Sequence, residues 1–278
     1  MKFLKGFALA VLGLLLFLSL AVFGLAFTLE STVLNPNFAV REVNRLDISA
    51  LSGDFIKEVV SGLTPEEMQF LEENLPKIID ELEPQLKEQM DSAIRSGYDY
   101  FLGKTDRLSI VISLASLKDG LKARLQPPYD QYAQDIMTGV PDTYTVSESD
   151  LPADAMPTIS RVREIIGYFK IGYYVLIAFM VLLVGLIILI DRNIRGATRS
   201  LGINFLVYGV LEFAGAFIAR YYVPSLPLGD IPASVQTWLT GLMKDLMSPA
   251  LIFGIGLAVV GVVLLVVSFF VKPPAAEA

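Results

Sequence analysis

The chain has 278 residues, of which 54% are hydrophobic, and a formal net charge of −7. It contains neither cysteine nor histidine, which excludes disulfides, thiolate nucleophiles, histidine-based triads and the commonest zinc ligand. An acidic chain is also a poor match for nucleic acid, which is bound by clustered Lys and Arg. These totals favour an apolar membrane protein that is not an enzyme and holds no metal or cofactor.

The first candidate span is an uncharged run from Phe7 to Leu29 that follows Lys2 and Lys5. At roughly 20 residues it is long enough to cross a bilayer. Positive residues before an apolar run are also typical of a secretory signal peptide, but its apolar region is shorter, about 7–15 residues. Although Gly24-Leu25-Ala26 resembles a weak cleavage site, we predict an uncleaved transmembrane helix within residues 1–29.

Three further apolar runs have the length that crosses a bilayer. They predict the second, third and fourth transmembrane helices at residues 167–190, 201–222 and 250–272. The remaining segments are a large loop at 30–166, a short basic loop at 191–200, a second loop at 223–249 and a tail at 273–278.

Basic residues in the short segments predict the orientation of the spans. In a four-span chain the following residues share one side: Lys2, Lys5, Arg192, Arg195, Arg199 and Lys272. The positive-inside rule places that side in the cytoplasm. We therefore predict a multi-pass protein of the cell membrane with both termini cytoplasmic and both longer loops outside.

The large loop, residues 30–166, is predicted to form an acidic, mainly helical extracytoplasmic domain. It carries 24 Asp and Glu against 13 Lys and Arg, hence a net charge of −11. Thr64-Pro65-Glu66-Glu67 is a capping box with proline at the first helical position. Apolar residues then recur every three or four positions as far as Phe101, which predicts one long helix or two coaxial helices. Pro76 and Pro84 predict a kink or a restart.

Two short segments rich in β-branched residues predict a two-stranded element in this domain. The first is 108–113 and the second, its expected partner, is 142–146. A short helix is predicted to open at Ser116. Another should begin near Thr158 or Ser160 and continue into the second span. The fold class is thus membrane all-α, with this domain inserted between the first two spans.

The second loop, 223–249, contains the only tryptophan of the chain, Trp238. It shares an apolar helical face with four neighbours: Val235, Leu239, Leu242 and Leu246. An interfacial helix anchored by Trp238 is the first interpretation. Packing beneath the large domain is the alternative.

Glu212 lies near the middle of the third span, where a carboxylate is costly and suggests a functional site. Tyr208, one helical turn away, is expected to hydrogen-bond it, and Arg220 completes a candidate intramembrane polar site. One interpretation is a proton or cation relay. The alternative is a structural glutamate that is bonded to another helix or paired with Arg220, although eight residues of helix separate the pair by about 12 Å.

Small residues recur on single faces of the third and fourth spans and predict close helix packing. They are Gly215, Ala219, Gly254, Ala258 and Gly261. A contact between two copies of the chain is the alternative. The acidic clusters in 66–83 lack the ligand spacing and glycine of a calcium loop, so no metal site is predicted.

Three hypotheses of function follow, and the bilayer is a partner in all of them. The favoured one is a non-enzymatic membrane protein whose outer domain binds a protein partner or a second copy, organises an assembly or senses a ligand. The second is a channel or transporter subunit that uses Glu212. The third is an accessory or assembly factor for an envelope complex.

Overall fold

The computed structural model is mostly helical and contains a small two-stranded sheet. It describes residues 2–47, 65–113, 115, 118–119, 141–152, 155–223 and 231–271. Ser116, where a short helix is predicted to open, and Lys272 lie outside these ranges.

The described elements follow one another in chain order as helices, a pair of strands and helices again. They are α1 (Lys2–Ser31), α2 (Pro36–Asn44), α3 (Pro65–Phe101), β1 (Ser109–Ser113), β2 (Thr143–Ser147), a 3₁₀ turn (Glu148–Asp150), α4 (Ala155–Asp191), α5 (Ile194–Tyr222), α6 (Ala233–Leu246) and α7 (Ser248–Phe270).

Four helical segments in the described part of the chain are long and apolar enough to cross a membrane. They are Phe3–Ser31, Ala155–Asp191, Ile194–Tyr222 and Ser234–Phe270. Each predicted span overlaps one of these segments, so the number of apolar helices is confirmed, although the predicted fourth span extends two residues beyond Phe270. The last segment joins α6 and α7 across a single turn residue, Met247.

The chain divides into two compact units. The span unit comprises Met1–Val33, Tyr168–Leu226 and Gly241–Ala278, and the loop unit comprises Leu34–Gly167 and Pro227–Thr240. The loop unit is therefore built from both of the longer predicted loops.

Within the span unit, α1 and α4 run antiparallel. Leu16 and Leu20 of α1 are buried in one apolar cluster with Leu183 and Ile187 of α4. Further along α1, Phe23 stacks on Tyr173, near the opposite end of α4, with ring centroids 5.3 Å apart. Residue numbers therefore increase along α1 as they decrease along the contacting part of α4.

The closest helix contact in the span unit joins α5 and α7 through glycines. Gly202 faces Gly261, and Gly209 faces Gly254, so these helices also run antiparallel. A Cβ atom on Gly209 would lie 2.6 Å from the carbonyl oxygen of Gly254. One on Gly261 would lie 2.8 Å from the carbonyl oxygen of Gly202. The seven-residue spacing on both helices keeps the glycines on one face, where the backbones touch.

A tight turn joins α4 to α5 at one end of the span unit. The Lys5 ammonium pairs with a carboxylate oxygen of Asp191 at 2.8 Å and donates to the Asp191 carbonyl at 2.6 Å. Arg192 has a φ of 51°, which reverses the chain, and the Asn193 side chain caps α5 by accepting from the Arg195 amide. The first turns of α1 and α5 therefore lie at the same end of the unit.

In the loop unit, α3 is one continuous helix. It begins at Pro65, the predicted first helical residue, and neither Pro76 nor Pro84 interrupts it. Of the two predicted alternatives, one long helix is therefore the one observed, with no restart at either proline. Burial of Leu82 and Tyr100 on one face stabilises the helix through its packing.

The predicted strands are confirmed as an antiparallel pair. Their register places Ile110 opposite Val146 and Ile112 opposite Tyr144. β1 also packs against α3, where Gln89 accepts a hydrogen bond from the backbone amide of Ser113 at 2.8 Å.

The first turns of α4 belong to the loop unit. Arg163 places its guanidinium 4.2 Å from the centroid of the Tyr100 ring and donates to the Thr105 carbonyl at 3.1 Å. α4 begins at Ala155, slightly earlier than predicted, and continues as one helix to Asp191, as predicted.

Trp238 of α6 lies against α2. Its indole nitrogen donates to the backbone carbonyl of Glu42 at 2.7 Å. The Glu42 carboxylate is buried and pairs with Arg41 at 3.1 Å and Arg45 at 3.2 Å. This placement corresponds to the second of the two interpretations of the 223–249 loop, in which its helix packs on the large domain.

Candidate intramembrane site

Three polar side chains project from one face of α5 at four-residue intervals. They are Asn204, Tyr208 and Glu212, and this spacing aligns residues along a helix. All three are in the span unit, and each lies beside a glycine of α1.

The centre of the site is a hydrogen bond between Tyr208 and Glu212. The Tyr208 hydroxyl donates to Oε2 of Glu212 at 2.8 Å. Tyr208 is only 4% exposed, and its ring makes edge contacts with Phe17 at 5.5 Å and Phe253 at 6.3 Å between centroids. Residues of α1 and α7 therefore hold the ring in place.

Gly24 of α1 closes the site from the opposite side. A Cβ atom on Gly24 would lie 2.6 Å from the Tyr208 hydroxyl and 3.0 Å from Oε1 of Glu212. These distances are shorter than van der Waals contact, so the two polar groups occupy the space that a larger residue would need.

Asn204, closer to the start of α5, is a second polar side chain that lies beside a glycine of α1. Its amide nitrogen donates to the Ser200 carbonyl at 3.0 Å. A Cβ atom on Gly13 would lie 3.2 Å from the same nitrogen. Since Gly13 pairs with Asn204 and Gly24 with Tyr208, α1 and α5 run parallel.

Arg220 is not part of this cluster. Its guanidinium donates to the Ser248 hydroxyl at 3.4 Å, and no ion pair joins it to Glu212 among the described residues. The rise of the helix accounts for the separation. Of the three predicted site residues, the structure brings together Tyr208 and Glu212 and leaves Arg220 apart.

The predicted packing residues occupy different environments. Gly254 and Gly261 lie at the α5–α7 contact, and the backbone of Ala258 touches the position that a Cβ on Gly209 would take. Gly215 is exposed, with open space around it, and Ala219 is half-buried.

The centre of the site is one hydrogen-bonded pair, in which Tyr208 is buried and Glu212 is half-buried. Tyr208 is the one side chain that hydrogen-bonds Glu212 in the described part of the chain. Ser19 and Thr28 donate to carbonyls of their own helix, at 2.7 and 2.8 Å. Both hydroxyls are therefore bonded within α1 and not to Glu212.

Several residues of the site had no distinct signal in the sequence. Gly24 and Gly13 are glycines in an apolar run, and nothing in that run indicates which of them face a polar side chain. Outside the site, Glu30 lies in the last turn of α1 and not in the large loop, and one of its carboxylate oxygens is buried with no hydrogen-bond partner among the described residues.

No protein-family model, no curated protein and no solved structure matches this chain. Its function is therefore inferred from its own residues. Among those the structure describes, no group of three or more acidic side chains is arranged to hold a metal ion.

Proposed function

We propose that the chain is a non-enzymatic integral membrane protein of the cell membrane whose outer domain binds a protein partner. In this proposal the loop unit is the outer domain and lies outside the cytoplasm. The interaction organises a membrane assembly or reports the presence of a ligand.

The observation that carries the proposal is that residues from both longer loops fold into one unit. The Trp238 indole donates to the Glu42 carbonyl, although 196 positions separate them in sequence. Two loops of a four-span protein can share a domain only if both emerge on the same side of the membrane. The four span helices alternate in direction, as this proposal requires.

The distribution of charge supports the cytoplasmic placement of the other end. The Lys5–Asp191 pair joins the start of α1 to the α4–α5 turn, where Arg192, Arg195 and Arg199 also lie. Such a concentration of basic residues near span ends is typical of the cytoplasmic side. The first loop, by contrast, carries a net charge of −11, from 24 acidic and 13 basic residues.

Single cysteines test the placement directly, because the chain has none of its own. Asp106 in the loop unit and Arg199 in α5 are both exposed. In intact cells we expect a membrane-impermeant maleimide to label D106C, and to label R199C only after the membrane is permeabilised. The reverse pattern would contradict the proposed orientation.

Replacing Glu212 with glutamine tests the transport alternative. The glutamine keeps an oxygen that can accept from Tyr208 but cannot carry a negative charge. Because the glutamine can still accept from Tyr208 and the proposed function involves no transport, we expect folding to be retained and proton or cation flux into proteoliposomes to equal that of the wild-type chain. Conservative Asp106→Asn, outside the spans, is the control. If the wild-type chain and the control carry a flux that E212Q lacks, the result would instead favour a transporter.

A further inference from the structure

The outer edge of β2 carries backbone groups that the β1–β2 pair does not use. The odd-numbered residues at two ends of the pair show this, because their amides bond to side chains and not to the partner strand. Ser113 of β1 donates its amide to Gln89, and Ser147 of β2 donates its amide to Asp150, both at 2.8 Å. Backbone groups in a strand alternate in direction, so the odd-numbered residues point away from the partner strand. On β2, Thr143 and Thr145 therefore direct their N–H and C=O groups outward.

These outward groups are accessible. Thr143, Tyr144 and Thr145 are all exposed, and Tyr144 is 49% exposed. Neither threonine forms a hydrogen bond beyond the ladder with any residue the structure describes. Edge strands are usually protected by lysine, proline or a bulge, and β2 has the unprotected sequence Thr-Tyr-Thr-Val-Ser.

We propose that β2 pairs with β2 of a second copy of this chain, antiparallel and centred on Tyr144. Thr143 of each copy would then lie opposite Thr145 of the other, and each such pair would exchange two backbone hydrogen bonds. The β1–β2 pairs of the two copies would form one four-stranded sheet. This inference names one partner for the loop unit and in that respect rests on the proposed function.

The free groups select this register. A pairing centred on Thr145 would place Thr143 opposite Ser147, whose amide is already bonded to Asp150. The hydroxyl of Ser147 donates to the same carboxylate oxygen at 2.7 Å. These two hydrogen bonds lower the pKa of Asp150, so its carboxylate keeps the Ser147 amide engaged at neutral pH.

Local charge also permits two copies to meet here, although the first loop as a whole is acidic. The strand itself has no charged residue, and Asp142, which precedes it, is paired with the buried ammonium of Lys118 at 2.6 Å. The edge is complementary to itself, as a two-fold symmetric interface requires. Confinement of both copies to one membrane raises their effective concentration.

Disulfide formation by the full-length chain tests the register. In Y144C the two cysteines would sit at a directly opposed, narrow pair with Cα atoms about 4.5 Å apart, within the range for a disulfide. V111C is the matched control, since Val111 is 52% exposed and Tyr144 49%. In the proposed sheet, Val111 of the second copy would lie three strand spacings away, about 14 Å. We expect Y144C to form a reducible dimer about tenfold faster than V111C in membranes.

A second pair of variants in the Y144C background tests the role of the backbone. T145P removes the outward amide, and T145V keeps it along with a branched side chain. We expect T145P to abolish the cross-link and T145V to retain it.

Equal cross-linking of Y144C and V111C, equal cross-linking of T145P and T145V, or no cross-link in Y144C would each overturn the pairing. If that happens while D106C is still labelled from outside, the proposed placement of the domain stands and the second copy is excluded as its partner.

Discussion

Replacing Gly209 with leucine is expected to separate α5 from α7 and to destabilise the span unit by about 3 kcal/mol or more. The Cβ atom alone would lie 2.6 Å from the Gly254 carbonyl, and the atoms it meets belong to backbone, which cannot rotate away. Relief requires the helices to move apart, and that movement would also open the contact between Gly202 and Gly261. Unfolding of the purified chain in mixed micelles, followed by circular dichroism, measures the loss.

Gly215→Leu is the control for this variant. It makes the same substitution in the same helix, at a position with nothing within 4 Å of the added Cβ. Leucine has the higher helix propensity, so we expect G215L to be neutral or slightly stabilising. An equal loss of stability in both variants would show that the α5–α7 glycine contact is not what holds the two helices together.

Much of the membrane architecture can be predicted from the sequence because the bilayer imposes length and composition on each span. All four apolar helices lie where long apolar runs occur. The strands at 109–113 and 143–147 were found for a similar reason, since β-branched residues are concentrated there. The sequence left open whether α3 is one helix or two, because its apolar periodicity continues past Pro76 and Pro84 while each proline removes a backbone donor; the structure has one helix.

The candidate site could be predicted from the sequence only in part. A four-residue spacing is sufficient to place Tyr208 beside Glu212, since both belong to one helix. Their contact with Gly24 depends on which face α1 presents, and an apolar run carries no periodic signal that identifies that face. The same limit explains why Gly202 and Gly209 were missed, while Gly254 and Gly261 stood out only as small residues.

The Tyr208–Glu212 pair should make Gly24 intolerant of even one added carbon. We expect Gly24→Ala to destabilise the chain by about 1–3 kcal/mol, the usual cost of overpacking. The added Cβ would lie 2.6 Å from the Tyr208 hydroxyl, and Phe17 and Phe253 prevent the ring from moving aside. Thermal unfolding in detergent measures the effect.

Tyr208→Phe separates this steric explanation from a general intolerance of α1 to substitution. Phenylalanine lacks the hydroxyl that makes the shortest contact with the new methyl group, so in the Y208F background Gly24→Ala should cost less than in the wild-type chain, with the 3.0 Å contact to Oε1 of Glu212 remaining. The difference between the two costs is the coupling energy of a double-mutant cycle. Gly6→Ala, at a glycine of α1 with open space around it, should be tolerated in both backgrounds. Additive effects of G24A and Y208F would mean that Gly24 does not pack against the Tyr208 hydroxyl, and the case for a structural Glu212 would lose its main support.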